Sequence, residues 1–339
     1  MTNTKKSILL TGASGTVGIE VLKQLLENRN FDITVFDKKT KLSVKKLNPF
    51  KNKVELVYGD ICNKADLEKI GYNKEFIIHL AAIIPPIADD FPALAQKVNT
   101  EGTRNLVQVL EQHSPNCFFI YSSSISVYGD RLQNPYISVG DPLKPSIGDE
   151  YALTKIASEE ILQKSKLDWT IFRLAAIMGG HKMSKLMFHQ PLSTSLEIAT
   201  PQDTARAFVK AIEKQKELSK KIFNLGGGDT CRIDYAGFLK RSFNIFGLGE
   251  LNFPHKAFAE KNFHCGFYQD GDKLEEILHF RNHSLEDYFE MEEMKVSSLE
   301  KFGASLLKGP IKKYLLKQSE PLEAFKKNNE KLKKQFFYK

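Results

Sequence analysis

The chain has 339 residues, 42% of them apolar, and a formal net charge of +8, which suits one large domain with a real core plus a smaller appended part. Twelve Lys against four Glu between Lys295 and Lys339 account for the whole surplus, so residues 1–294 are neutral and carry no nucleic-acid footprint. No apolar stretch is long enough to span a bilayer, no signal peptide is visible, and Cys62, Cys117, Cys231 and Cys265 form no CxxC pair. The expectation is a cytoplasmic protein with reduced thiols and neither a disulfide frame nor a zinc site.

The first element reads as strand, tight turn and helix. An apolar run, Ser7-Ile8-Leu9-Leu10, leads into TGASGTVG (residues 11–18), and Ile19 to Leu26 follows with helical character. Gly12 permits the sharp exit from the strand, Gly15 lets backbone approach a pyrophosphate, and Gly18 lets the helix pack closely on the sheet. The amides of Ser14, Gly15, Thr16 and Val17 then face the phosphates. A second apolar run, Ile33-Thr34-Val35-Phe36, ends in Asp37, 19 residues past Gly18. An acid there can hold the two ribose hydroxyls of NAD and repel the 2′-phosphate of NADP, although Lys38 and Lys39 keep NADP as the alternative.

Three further strands are predicted on the way to the centre of the chain. Val54–Ile61 ends in Gly59-Asp60-Ile61, where a backbone turn and a carboxylate can meet an adenine. Phe76–Ala82 is apolar throughout, as a parallel strand buried on both faces should be, and Leu80, Ala81 and Ala82 leave room for a cofactor across its end. A helix from about Phe91 to Gln112 carries Asn99, and Cys117–Ser124 is the fifth strand. The loop from Ser126 to Gly148 is expected to cover the site. Then come a helix from Tyr151 to Lys164, a strand at Trp169–Leu174 and a seventh at Lys221–Leu225. Strands alternating with helices imply an α/β fold, a Rossmann-type doubly wound parallel sheet with its ligands at the strands' C-terminal edge. The dinucleotide-binding domain is placed at residues 1–180 plus 195–226, a small substrate-binding part at 181–194 and 227–294, and a Lys-rich helical tail at 295–339.

Tyr151 and Lys155 stand four apart on one helix face, one loop after Ser124. A phenol is a poor base at neutral pH, but an adjacent ammonium and an oxidised nicotinamide ring both favour its phenolate. Tyr151 would then exchange a proton with an alcohol or carbonyl oxygen as hydride moves, Lys155 would bond the nicotinamide ribose, and Ser124 would hold the substrate oxygen.

These pieces together resemble the extended short-chain dehydrogenase/reductases, specifically the NAD-dependent epimerase/dehydratase family, over residues 5–290. The matching residues are TGASGTVG, Asp37, Gly59-Asp60-Ile61, His79-Leu80-Ala81-Ala82, Asn99 with Gly102-Thr103, residues 121–129 (YSSSISVYG), Tyr151-Ala152-Leu153-Thr154-Lys155, residues 201–207 and Phe223-Asn224-Leu225-Gly226. The resemblance implies a bound NAD(P), Asn99 near it, the three catalytic roles given above, and a homodimer built on the helices after Asn99 and Tyr151. Leu174 is placed beside the cofactor, and Ile83, Ser124, Ser126, Ala176, Met178 and His181 beside the substrate.

The departures bear on substrate. Ile125-Ser126 stands where family dehydratases carry Asp-Glu, and Arg173-Leu174-Ala175-Ala176 where sugar-nucleotide epimerases carry Arg-Tyr-Phe-Asn. Only 21 residues separate Gly179 from Pro201, and Leu251–Lys273 contains no Arg; Arg232 and Arg281 are the substitutes. An alcohol/ketone oxidoreductase is therefore preferred over a UDP-sugar 4-epimerase with tightly bound NAD, and a non-catalytic NAD-binding redox sensor is the third alternative. His279 and His283, four apart, raise a zinc site only weakly, and none is expected. Leu299, Phe302, Leu306 and Leu307 have helical spacing, so the tail is expected to dock on its own body with a solvated basic face; adhesion to an anionic membrane or acidic partner is the alternative.

Overall fold

A computed structural model describes residues 5–28, 30–180 and 183–338. Its centre is a seven-stranded parallel sheet: β1 (Lys6–Thr11), β2 (Phe31–Asp37), β3 (Glu55–Tyr58), β4 (Phe76–His79), β5 (Phe118–Ser124), β6 (Asp168–Leu174) and β7 (Lys221–Leu225). Their spatial order is β7-β6-β5-β4-β1-β2-β3, so the chain direction across the sheet reverses between β1 and β4. Neighbouring crossovers diverge there and leave a crevice at the strands' C-terminal ends. All seven strands expected from the sequence are present.

Side-chain alternation sends each strand's residues to opposite layers. Ile8 and Leu10 pack with Ile33, Val35, Ile78 and Ile120 on one face, whereas Leu9 packs with Phe36, Ile77 and Phe119 on the other. The first layer is covered by α1 (Thr16–Glu27) through Val21, Leu22 and Leu25, and the second by α2 (Gly102–His113) through Leu106, Val107 and Leu110. These spacings are those of a helical apolar stripe. Beside α2 lies α3 (Glu150–Lys164), and on the first face α4 (Pro201–Ala211) buries Ala205, Phe208 and Ala211.

The helix expected from Phe91 to Gln112 is interrupted. Pro92–Ala95 is α-helical, Gln96–Glu101 is a π-turn, and α2 begins only at Gly102. Periodicity cannot show this extra residue in the turn, and π-turns of this kind often mark functional positions.

The smaller part has its own core around Phe188, Phe238, Phe243, Tyr288 and Phe289, drawn from α5 (Tyr235–Ile245) and α6 (Leu285–Glu293). A three-stranded sheet, Arg232–Asp234 with Ser195–Ala199 with Ala176–Ile177, joins it to the main body. The tail folds into α7 (Ser298–Leu306), α8 (Lys308–Leu316), α9 (Glu320–Lys326) and α10 (Glu330–Phe336). It docks, but through a different stripe from the one expected: Leu299, Phe302 and Leu306 are 80%, 62% and 69% exposed, while Leu315, Leu322, Ala324, Phe336 and Phe337 are buried. The amphipathic pattern of α7 is real, but its apolar stripe is left exposed, and the helix meets the body through Ala304 instead. Among the described residues no helix is long and apolar enough to cross a membrane.

Candidate active site

The crevice at the β1–β4 divergence is lined by Gly12, Ser14, Gly15, Asp37, Asp60, Ile61, Leu80, Ala81, Ala82 and Ile83, and it encloses about 290 Å³. Nine of these ten are expected cofactor neighbours; Ile83 was expected beside the substrate. Gly12 takes φ +75°, and a Cβ on it would stand 2.6 Å from the Ala81 amide nitrogen, so only glycine fits. Gly18 is constrained by space alone: a Cβ on it would collide with the Gly12 carbonyl oxygen. α1 opens at Gly15 with no capping side chain and no acid in its first turn, which leaves the amides of Thr16 and Val17 available to an anion. Thr16 borders a neighbouring depression rather than this crevice, and Val17 packs partly on the core. The Asp37 carboxylate accepts the Ser14 amide at 2.8 Å. This set fits a dinucleotide, with Asp37 at the ribose end.

A buried relay aligns the crevice edge. Thr103 donates to the Asn99 carbonyl at 2.6 Å, so His79 Nε2, 3.0 Å from the Thr103 hydroxyl, is the donor in that pair. His79 Nδ1 then accepts from Thr11 at 2.6 Å, and the Thr11 oxygen accepts the Ala81 amide at 3.3 Å. Burial pushes the His79 imidazole down to about 3, with Lys155 adding to the effect, so it stays neutral.

Asn99 does not point at the cofactor crevice. Its amide oxygen accepts from the Ile83 amide at 2.7 Å, and its amide nitrogen donates to the Ile83 carbonyl at 2.9 Å and the Thr154 hydroxyl at 3.0 Å. Both donor hydrogens are used, which corrects the expectation of direct cofactor contact. Asn99 instead positions the loop after β4 against α3.

A second cavity of about 310 Å³ adjoins Ser124 and is lined also by Ala176, Met178, Ile84, Asp89, Asp149 and His264. Ser124, Ala176 and Met178, three of the expected substrate neighbours, thus line one cavity. Ser126 does not: it is 0% exposed, its amide donates to the Ser124 oxygen at 3.2 Å, and it braces Ser124 from beneath. His181 lies outside the described residues. Leu174 is the β6 residue in register with Ser124 and packs partly on the core. The 126–148 loop covers the site only at its end, through Ser146, Ile147 and Gly148.

α3 is capped by Asp149, whose carboxylate accepts the Ala152 amide at 2.9 Å and pairs with His264 Nδ1 at 2.9 Å. Asp89 accepts the Tyr151 amide at 3.2 Å. Burial pushes the Tyr151 phenol up, Asp149 and Asp89 add to this, and a hydrogen bond with Ser124 opposes them. Lys155 donates to the Ser122 carbonyl at 2.7 Å, and burial draws its amine down to about 7 against the pull of Glu159. In the protein alone, therefore, the phenol is held above its ordinary range; the expected pull toward phenolate combined the amine with an oxidised nicotinamide ring. The physical reason is desolvation of the phenol together with the two flanking acids, Asp149 and Asp89. Asp89, Asp149 and His264 were missed from sequence; only the capping position of Asp149 carried a local signal.

Neither substitute arginine reaches the second cavity. Arg232 is held by Glu197 at 3.0 Å, and Arg281 by the Gly226 carbonyl at 2.8 Å and by Asp272. His279 ends a helix with φ +46°, and His283 pairs with Asp203 at 2.7 Å. Among the described residues no cluster of three His, Cys, Asp or Glu could hold a metal ion.

A doubly wound sheet with a glycine-lined crevice at its switch point defines a dinucleotide-binding α/β protein. The family model described as NAD dependent epimerase/dehydratase family matches residues 8–226. The chain belongs to that family. UDP-glucose 4-epimerase of Pisum sativum is 30% identical over 203 residues, 55% of this chain and 56% of the relative. D-erythronate dehydrogenase of Cupriavidus necator is 24% identical over 252 residues, 65% of this chain and 77% of the relative. The chain spans just over half the length of the first curated relatives it matches. Among solved structures, UDP-glucuronic acid 4-epimerase from Bacillus cereus in complex with UDP-glucuronic acid and NAD is similar at a TM-score of 0.72 and 22% identity, covering 85% of this chain and 98% of that one. At that identity the likeness concerns the fold.

Proposed function

We propose that the protein is an NAD-dependent oxidoreductase that moves hydride between nicotinamide and a small secondary alcohol or ketone. The observation that carries this over the epimerase alternative is the charge of the second cavity. Its described lining includes Asp89 and Asp149 but no Lys or Arg, and an unpaired diphosphate beside two carboxylates is strongly disfavoured.

In this reading Ser124 holds the substrate oxygen, Tyr151 exchanges the proton and Lys155 meets the nicotinamide ribose. When bound, NAD⁺ supplies the hydride acceptor and a positive ring that draws the phenol down. Asp37 favours NAD over NADP. The homodimer through the helices after Asn99 and Tyr151 is supported by Leu153 on α3, which is 52% exposed.

The epimerase reading draws on the relatives named UDP-glucose 4-epimerase. The two separate by incubation with NAD⁺ and, in parallel, neutral secondary alcohols and UDP-sugars. Net NADH accumulation with an alcohol is expected; conversion of a UDP-sugar to its epimer without net NADH would replace the oxidoreductase reading.

A further inference from the structure

The cavity beside Ser124 is closed on one side by a part of the chain far beyond residue 226. Gln335 and Phe336, both in α10, belong to its lining. Several separate contacts hold them there. The Phe336 carbonyl accepts the Glu260 amide at 2.8 Å, and its ring lies 4.9 Å from that of His189. Phe337 is buried with the Lys256 ammonium 4.7 Å from its ring centroid. One helix back, Glu320 takes Lys185 at 3.0 Å and His189 at 2.9 Å, and the Ser319 hydroxyl donates to the Ala257 carbonyl at 2.6 Å. A basic tail that only needed solvation would require none of these.

Gln335 is the member of this wall with chemistry to spare. Its side chain makes no hydrogen bond to any described residue, yet it lies so near Gly148 that a methyl group there would stand 3.0 Å from Nε2. The buried Ser146 hydroxyl, on the same cavity, also has no partner among the described residues. Two uncharged hydrogen-bonding groups thus border a largely apolar space whose described lining has no Lys or Arg. A buried polar group left without a partner is costly, so the Ser146 hydroxyl is suited to a ligand's own polar atom, and the half-buried Gln335 amide, at the cavity's rim, can supply a second contact.

We propose that α10 is a wall of the substrate site, in which the Gln335 amide contacts substrate and Phe336 fixes the depth of the pocket. The class of substrate it fits is a small, uncharged hydroxylated ketone or the corresponding alcohol. The chemistry in this proposal rests on the oxidoreductase reading, whereas the placement of the wall does not.

Two experiments on the full chain separate these parts. Cys265 lines the cavity and is buried; Cys62 is only partly buried and lies elsewhere. Peptide-resolved labelling with N-ethylmaleimide should speed up at Cys265 by roughly tenfold in Phe336→Ala, on the scale of losing local protection, with Cys62 unchanged. Gln335→Trp, which leaves the Phe336 packing intact, should slow it. Unchanged Cys265 rates in both variants would overturn the wall. If Phe336→Ala also exposes Cys117, beneath the sheet, that variant has unfolded and the Gln335→Trp result decides alone. In the second experiment, Gln335→Ala should raise KM for neutral hydroxyketones by roughly tenfold and by more than it changes kcat; an unaltered KM would overturn the contact. If the unsubstituted protein reduces no ketone, the oxidoreductase reading fails while the labelling still decides the wall.

Discussion

The Lys155 ammonium nitrogen lies 5.5 Å from the centroid of the Tyr151 ring and spends its hydrogen bond on the Ser122 carbonyl, 2.7 Å away. Burial on this face of α3 lowers the amine to about 7 from its ordinary 10.5. Below about pH 7 the amine is protonated in both folded and unfolded chains, and the cost of burying its charge is fully present. Between about 7 and 10.5 the unfolded chain holds a proton that the folded chain has released, so stability rises with pH across that window.

Lys155→Met should remove this dependence. In denaturant titrations without cofactor, the variant is expected to be more stable than the parent near neutral pH, with the gap narrowing toward pH 10. A gap of constant size would mean that the amine does not titrate in that window.

Asp37 anchors the Ser14 amide while facing the crevice, and Lys38 is drawn to Asp60 at 3.4 Å in a solvent-exposed pair worth little. NADH should therefore bind more tightly than NADPH by roughly tenfold, the scale of one charged hydrogen bond. Asp37→Ser should narrow that ratio, as read by fluorescence titration with each cofactor. A preference for NADPH in the parent would show that Lys38 or Lys39 governs the site instead.

Glu159 and Arg173 form a buried ion pair, at 2.6 and 3.0 Å, that also engages Ser123 and Tyr128. Removing one partner strands the other charge in the interior. Arg173→Met should cost about 3–5 kcal/mol in urea unfolding, and adding Glu159→Leu should recover much of it. Equal losses in the single and double variants would show that the packing, rather than the stranded charge, dominates.

The fold was legible because parallel strands buried on both faces write themselves as short apolar runs, as Phe76–His79 does; β3, half-buried at the sheet edge, was marked by Leu56 and Val57. Gly12, Asp37 and Ser124 were legible because each sits at a strand end whose position follows from the strand, and Gly15 and Gly18 because they open the helix that follows. What local pattern could not supply were contacts made across the chain. Asn99 has a motif position, yet its hydrogen bonds to Ile83 and Thr154 decide its role. His264 meets Asp149 from 115 residues away. The charge of the tail was visible, but whether Leu299 or Phe336 would dock depended on which apolar surface of the body remained uncovered.

The proton exchange assigned to Tyr151 is tested most directly by following deuterium from the nicotinamide C4 of labelled NADH into the alcohol formed from a neutral ketone. The parent protein should place deuterium on the carbinol carbon. Tyr151→Phe should slow that transfer by about 10²-fold or more while binding NADH nearly as well. Transfer at the same rate in both proteins, or NADH binding without transfer in either, would contradict the assignment.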